Sequence, residues 1–346
     1  TPGRLIRLKA ATHSLARCLT PLREDLMHPS SVLFQDQSVP VLLPVCDHYA
    51  GSEKLMRKSM ALQAELGPCF DITFDCEDGA AAGNEAAHAD LVSRLILSEE
   101  NRFQRIGVRL HASTHPAFLQ DLALIVTPCE GKLAYLVLPK VSNAAEVLRA
   151  IENIRAHIKT DLPPVHVLIE THEALADVMA IAAIPEVQCL SFGIMDFVSS
   201  HFGAIPATAM HSPQQFTHPL IVRAKTELAA ACHRYGKIAS HNVTTDISNP
   251  DAAYQDALLA GNQFGYQRMW SIHPQQIRGI VDAFAPSSHE ITTATALLLQ
   301  AQSADWGPVR FEGRLHDRAS YRYYWFVLQR ARLCAKPLPP EALELL

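Results

Sequence analysis

CFDITFDCED, residues 69–78, is an apolar run of strand-forming residues that ends in three carboxylates, Asp75, Glu77 and Asp78. Near-continuous apolar runs of this kind belong to strands covered on both faces, as in parallel sheets flanked by helices. Seven further runs follow the same plan: PVLLPVCD (40–47), RIGVRLHA (105–112), LAYLVLPKV (133–141), PVHVLIET (164–171), VQCLSFGIMDF (187–197), GKIASHNV (236–243) and YQRMWSIHP (266–274). Most are separated by enough chain for a loop and a crossover helix. The intervening segments SEKLMRKSMALQAEL (52–66), NAAEVLRAIENIRAHI (143–158) and RAKTELAAACHRY (223–235) carry helical spacing, the last stopped by Gly236. Eight such units predict an α/β chain with a (β/α)8 TIM barrel over residues 39–286. A doubly wound open sheet shares the alternation, but eight units are many for it and no GxGxxG follows the first strand. Residues 1–38 read as an N-terminal extension. Residues 287–346 read as a C-terminal helical lid segment, two helical patterns around the loop WGPVRFEGRLHD (306–317). The interval between the sixth and seventh runs is long, and its start, SSHFGAIPATAMHSPQQF (199–216), reads as an inserted active-site loop.

At 346 residues and 48% hydrophobic, the chain can bury one large core. Thirty basic against 35 acidic side chains, with no concentrated basic stripe, argue against a nucleic-acid or anionic-membrane surface and for small-molecule partners. No window approaches the roughly 18 apolar residues of a membrane span. Eight scattered cysteines without a CxxC pair, among them Cys46, Cys76 and Cys189 inside apolar runs, suit reduced thiols and a cytoplasmic protein. The basic, acid-poor stretch 1–25 fits an ordinary amphipathic helix or a vector-derived remnant better than a transit peptide.

Barrel enzymes work at the carboxyl ends of their strands. The polar residues expected there are Asp47 and His48; Asp75, Glu77 and Asp78; Arg109; Lys140; Glu170; Asp196; His241 and Asn242; and His273. Glu170 and Asp196 each close an apolar run on adjacent strands, and two like charges so placed call for a cation. A hard divalent ion, Mg²⁺ or Mn²⁺, takes one or two protein carboxylates and leaves positions for water and substrate; the plainer alternative is that each caps the following helix. Arg109 is costly to bury unpaired and reads as a partner of the second strand's carboxylates, a fork for a substrate carboxylate or enolate, or both. Lys140 reads as a partner of a barrel carboxylate more than as a Schiff-base lysine. His273 reads as shaping a loop. Asp47, His48 and Lys54 read as a substrate rim or as simple turn residues.

The ordered set DCEDG (75–79), VR (108–109), LPK (138–140), IET (169–171), FGIMD (192–196), IHPQQI (272–277) and FAP (284–286) resembles the citrate lyase beta-subunit and malyl-CoA lyase family. The resemblance runs in register across nearly the whole barrel. It implies that Glu170 and Asp196 hold Mg²⁺, that Arg109 binds the oxoacid or enolate, and that Asp78 orients a metal-bound water or the arginine. EGRLHD (312–317) loosely matches the family's lid stretch and nominates Asp317 as acid/base, serving a neighbouring subunit in a homotrimer or homohexamer. Asp75, Glu77, Lys140, Lys54 and His273 complete the expected substrate-binding set. The implied reaction is reversible carbon–carbon cleavage of a hydroxyacyl thioester, carried on coenzyme A, into a 2-oxoacid and an acyl thioester. The chain departs from the family where it meets the acyl carrier: Glu85 and Ala89 stand in place of a Lys and an Arg, and Arg268-Met269 in place of Gly-Lys. A coenzyme A-independent metal aldolase for hydroxy-oxoacids is therefore the second reading, and a non-catalytic barrel serving as a subunit or sensor the third.

Overall fold

The computed structural model describes residues 28–35 and 39–346. The expectations placed on residues 1–27 lie outside them. Eight parallel strands close into a barrel in sequence order: β1 (Cys46–Ala50), β2 (Phe70–Asp75), β3 (Ile106–Arg109), β4 (Leu136–Leu138), β5 (Val165–Ile169), β6 (Val187–Phe192), β7 (Ile238–His241) and β8 (Arg268–Ser271). β8 pairs back onto β1, Cys46 opposite Met269, so the barrel itself has no open strand edge. The main core lies between the strands and the surrounding helices and is filled by residues such as Phe70, Ile72 and Phe74 of β2 and Ile277 and Ile280 of the helix Pro274–Phe284.

β1 begins later than the sequence suggests. Pro40 and Pro44 lack the N–H that a strand ladder needs, so PVLLP stays outside the sheet and pairing starts at Cys46. Asp47 and His48 consequently sit inside the strand, away from the barrel mouth. Asp47 takes an ion pair from Arg268 at 3.1 Å, and His48 Nδ1 meets Ser271 Oγ at 3.0 Å. Burial lowers the His48 pKa to about 4. These two residues form no substrate rim.

The lower interior of the barrel holds charge rather than the branched aliphatics common there. Arg268, fully buried, donates to Asp71 Oδ2 at 2.6 Å and to the Pro44 carbonyl at 2.5 Å, and Asp71 also accepts from Arg105 at 2.7 Å. Arg268 is thus part of the barrel floor and does not face a ligand. Above the floor, Tyr49, Tyr135, Val137, Leu168 and Trp270 form an apolar layer inside the barrel. Tyr135 stacks on His166 at 4.0 Å and lies over Gly107, where a Cβ would fall 2.2 Å from its ring.

Beyond the barrel, the helices Ser288–Ser303 and Arg318–Leu333 build a second core with the short helix Pro29–Phe34, whose Phe34 ring meets Trp325 at 5.4 Å. The stretch 306–317, expected as a loop, contains an antiparallel hairpin, β9 (Val309–Phe311) and β10 (Arg314–His316). Glu312 and Gly313 both take positive φ, 47° and 80°, the two-residue turn that matches strand twist. Among the described residues no helix is long and apolar enough to cross a membrane. The seven described cysteines are free and buried.

Candidate active site

The carboxyl ends of the strands enclose a cavity of about 320 Å³ lined by Asp75, Asp78, Arg109, Glu170, Asp196 and Asn242, with Tyr49, Trp270 and Phe192 as its apolar wall. Register sets its first pair: Asp75 stands opposite Arg109 across β2 and β3. Arg109 donates Nε to Asp75 Oδ1 at 2.7 Å and Nη2 to Oδ2 at 2.5 Å, while Nη1 lies 3.1 Å from Glu77 Oε2. Burial pushes the Arg109 pKa down, but Asp75 and Glu77 more than offset this and hold it above the ordinary value. Asp75 also accepts from the Glu77 and Gly79 N–H groups at 3.0 Å each. Both its oxygens are used in shaping the site, and orientation of the arginine falls to Asp75 and Glu77 rather than to Asp78.

Lys140 follows β4 in a left-handed conformation, φ 51°, uncommon for a residue with a Cβ and concentrated at functional positions. That twist lets one residue serve three carboxylates. Its N–H donates to Glu170 Oε1 at 2.6 Å, and its Nζ pairs with Glu77 and, at 2.8 Å, with Asp78 Oδ2. Burial lowers and the two carboxylates raise the Lys140 pKa, with a net rise that keeps the ammonium charged. Asp78 is held low by Lys140 against the effect of its partial burial.

Glu170 follows β5 and is 2% exposed. Burial first, then the Asp196 charge, lift its pKa to about 7, although the Lys140 N–H opposes the rise. Asp196 lies one turn into the helix Ile194–Ser199 rather than at the end of β6. Gly193 makes this approach possible, since a Cβ there would fall 2.5 Å from Glu170 Oε2.

Asp75, Glu77, Asp78, Glu170 and Asp196 face two cations, Arg109 and Lys140, which leaves a net charge of −3 with all five ionised. This donor set fits a hard divalent ion at Glu170 and Asp196. Among the described residues no group of three or more His, Cys, Asp or Glu forms a full metal cage, which suits an ion completed by water and substrate oxygens.

A second cavity of about 510 Å³ adjoins the first across Asp78. It is lined by Glu77, Asp78, Glu85, His88, His111 and His115 with Ala80, Ala81 and Ala82, and its one Lys or Arg is Lys140.

Of the other expected residues, Lys54 stands exposed on the helix Glu53–Leu66 and lines neither cavity. His273 caps the helix Pro274–Phe284 through the Gln275 N–H at 3.3 Å. His241 packs between β7 and its helix, against Phe216 and Tyr266. Asp317 is exposed, caps the helix Arg318–Leu333 and lies outside the cavity of its own chain. The 199–216 segment contains two short 3₁₀ turns, Ala207–Met210 and Gln214–Phe216, and lines neither cavity. It reaches the site through Ser199, whose Oγ donates to the Asp196 carbonyl at 2.9 Å, and through buried Gln215, whose Oε1 accepts from Asn242 Nδ2 at 3.0 Å. Sequence reasoning gave no role to Tyr49, Trp270 or Gly193. An aromatic residue in an apolar run reads as core, and only the FG of FGIMD marked the glycine.

A model of the family described as HpcH/HpaI aldolase/citrate lyase matches residues 54–274. The solved structure of a citrate lyase from Burkholderia xenovorans LB400 is 53% identical with a TM-score of 0.80, covering 92% of this chain and 100% of that one. The L-malyl-CoA/beta-methylmalyl-CoA lyase of Cereibacter sphaeroides is 26% identical over 76% of this chain and 87% of its own length. The protein CitE from Mycobacterium tuberculosis, solved with magnesium, acetoacetate and coenzyme A, shares the fold at 21% identity and a TM-score of 0.63, over 84% of this chain and 98% of that one.

Proposed function

The chain belongs to the HpcH/HpaI aldolase/citrate lyase family, as a carbon–carbon lyase of the aldolase type, and from that premise we propose that it reversibly cleaves a hydroxyacyl thioester into a 2-oxoacid and an acyl thioester in the presence of Mg²⁺. The observation that carries the reading is the charge imbalance of the cavity, four lining carboxylates against the single cation Arg109, with Glu170 raised to about 7. Glu170 and Asp196 hold the ion, which supplies Lewis-acid polarisation of substrate oxygens. Arg109, kept charged and fixed by Asp75 and Glu77, turns its remaining N–H groups toward the oxygen on which negative charge develops. The apolar wall of Tyr49, Trp270 and Phe192 limits water at the reacting carbon. In this reading the acid that protonates the departing carbanion is Asp317 of a second copy, because Asp317 lies outside its own chain's cavity.

The second cavity favours a second reading. Its carboxylates and histidines, with Lys140 already paired, offer poor company to the phosphates of a coenzyme A tail. A free-acid, metal-dependent aldolase keeps the same centre without the thioester. Proton NMR in D₂O with acetyl-CoA, propionyl-CoA and pyruvate, with and without Mg²⁺, separates the two. Magnesium-dependent exchange of the acyl-CoA α-protons supports the thioester lyase, and exchange at pyruvate alone supports the aldolase. Full activity of Glu170→Ala in magnesium overturns the ion assignment.

A further inference from the structure

Four carboxylates line the first cavity, Asp75, Asp78, Glu170 and Asp196. A hard ion that acts on a substrate needs few of them, because each protein ligand fills a position otherwise open to water or a substrate oxygen. Asp75 is already engaged, since Arg109 donates to both of its oxygens. Asp78 is the carboxylate left to account for. Its side chain is 56% exposed, so packing does not fix it, and it shares the cavity with Glu170 and Asp196. What fixes it is Lys140. The ammonium donates to both Asp78 oxygens, at 3.0 and 2.8 Å, and is itself anchored on Glu77, whose side chain is 9% exposed and also meets Arg109 at 3.1 Å.

Lys140 acts on Glu170 with its other end. Its backbone N–H donates to Glu170 Oε1 at 2.6 Å, which engages one of the two carboxylate oxygens and opposes ligation through both. One residue makes the two sets of contacts because it holds φ 51°, a conformation in which a residue with a Cβ is uncommon.

We propose that Lys140 is a positioning residue that limits the ion at Glu170 and Asp196 to two protein carboxylates, by keeping Asp78 out of its coordination shell and Glu170 on one oxygen. A carboxylate held on the ammonium also shields the ion from that charge, and releasing Asp78 to the ion would expose the two cations to each other. The consequence is selectivity as well as reactivity. Mg²⁺ takes one or two carboxylates and keeps its waters, whereas Ca²⁺ gathers more oxygens in a looser shell, so a site held to two carboxylates favours the smaller ion and leaves its other positions free to exchange. The inference rests on the proposed ion site and is independent of which acid is cleaved.

The test is Mn²⁺ binding to the full chain, with electron paramagnetic resonance reporting affinity and water-proton relaxation reporting the waters on the ion. Lys140→Met keeps the Cβ and the backbone N–H and removes the charge. It is expected to bind Mn²⁺ at least about tenfold more tightly than the wild type and to lose about one bound water in four. Asp78→Ala alone is expected to change the affinity less than about threefold. In the Asp78→Ala background the gain from Lys140→Met is expected to shrink below about threefold, the coupling that a direct contact produces. Loss of the lysine charge without movement of Asp78 gives the same gain in both backgrounds and no loss of water, and that outcome overturns the inference, as does a Lys140→Met affinity equal to the wild type's. Lys140→Ala provides the same comparison if the methionine variant does not fold. Absence of Mn²⁺ binding, or binding that Glu170→Ala leaves unchanged, defeats the ion assignment and this inference with it. Binding that depends on Glu170 but shows no coupling between Lys140 and Asp78 overturns the inference alone.

Discussion

Lys140 and Glu170 show how much of the site is decided by single side chains. The Glu170 carboxyl, raised from 4.5 to about 7 by burial, keeps its proton in the folded chain over a range where the unfolded chain has released it. Stability is therefore lost as pH rises through that window, by about 3 kcal/mol in the absence of a divalent ion. Melting scans from pH 4.5 to 7 are expected to show this decline in the wild type and not in Glu170→Gln, and magnesium is expected to flatten it. Arg109→Ala leaves Asp75 buried and unpaired and is expected to cost about 3–5 kcal/mol in urea unfolding. Glu170, Asp196 and Arg109 were legible in the sequence because a lone charge closing an apolar run has few structural explanations. Asn242 was marked by its place at the end of the seventh run, but Tyr49 and Trp270 were not, since an aromatic residue within an apolar run reads as core and only the folded chain turns it toward the cavity.

At the level of elements, the eight strands could be read because burial on both faces writes each as a continuous apolar run. The start of β1 is set too early by the sequence because Pro40 and Pro44 sit within such a run, where only their missing N–H groups exclude them. The β9–β10 hairpin was hidden by its short strands and by a turn that resembles any polar loop. The loop from β6 into the helix Ile194–Ser199 carries the sharpest steric prediction. Gly193→Ala places a Cβ 2.5 Å from Glu170 Oε2, so the carboxylate must move. The expected outcome is a folded protein, destabilised by about 1–3 kcal/mol, whose melting temperature no longer responds to magnesium.

Across the whole molecule, charge lies in two storeys inside one barrel. The floor of Arg268, Asp47 and Asp71 and the mouth of Asp75, Arg109 and Glu170 are separated by the apolar layer of Tyr49, Tyr135, Val137, Leu168 and Trp270. Arg268→Met leaves buried Asp47 without its cation and Asp71 with Arg105 alone, and is expected to cost about 3–5 kcal/mol in urea unfolding, with magnesium still raising the melting temperature of the protein that folds. The second core, built on the C-terminal helices and Pro29–Phe34, joins the barrel through Cys334 and the Lys336–Asp282 pair at 2.7 Å. The apolar layer has an evolutionary consequence. It holds the charges of the floor apart from those of the mouth, so substitutions among the two sets of charged residues should combine additively, while Tyr49, which feels both Asp47 and Arg109, is where the two meet. A lineage can then rewrite which acid it cleaves, one residue at a time, while the foundation of its barrel stays as it was.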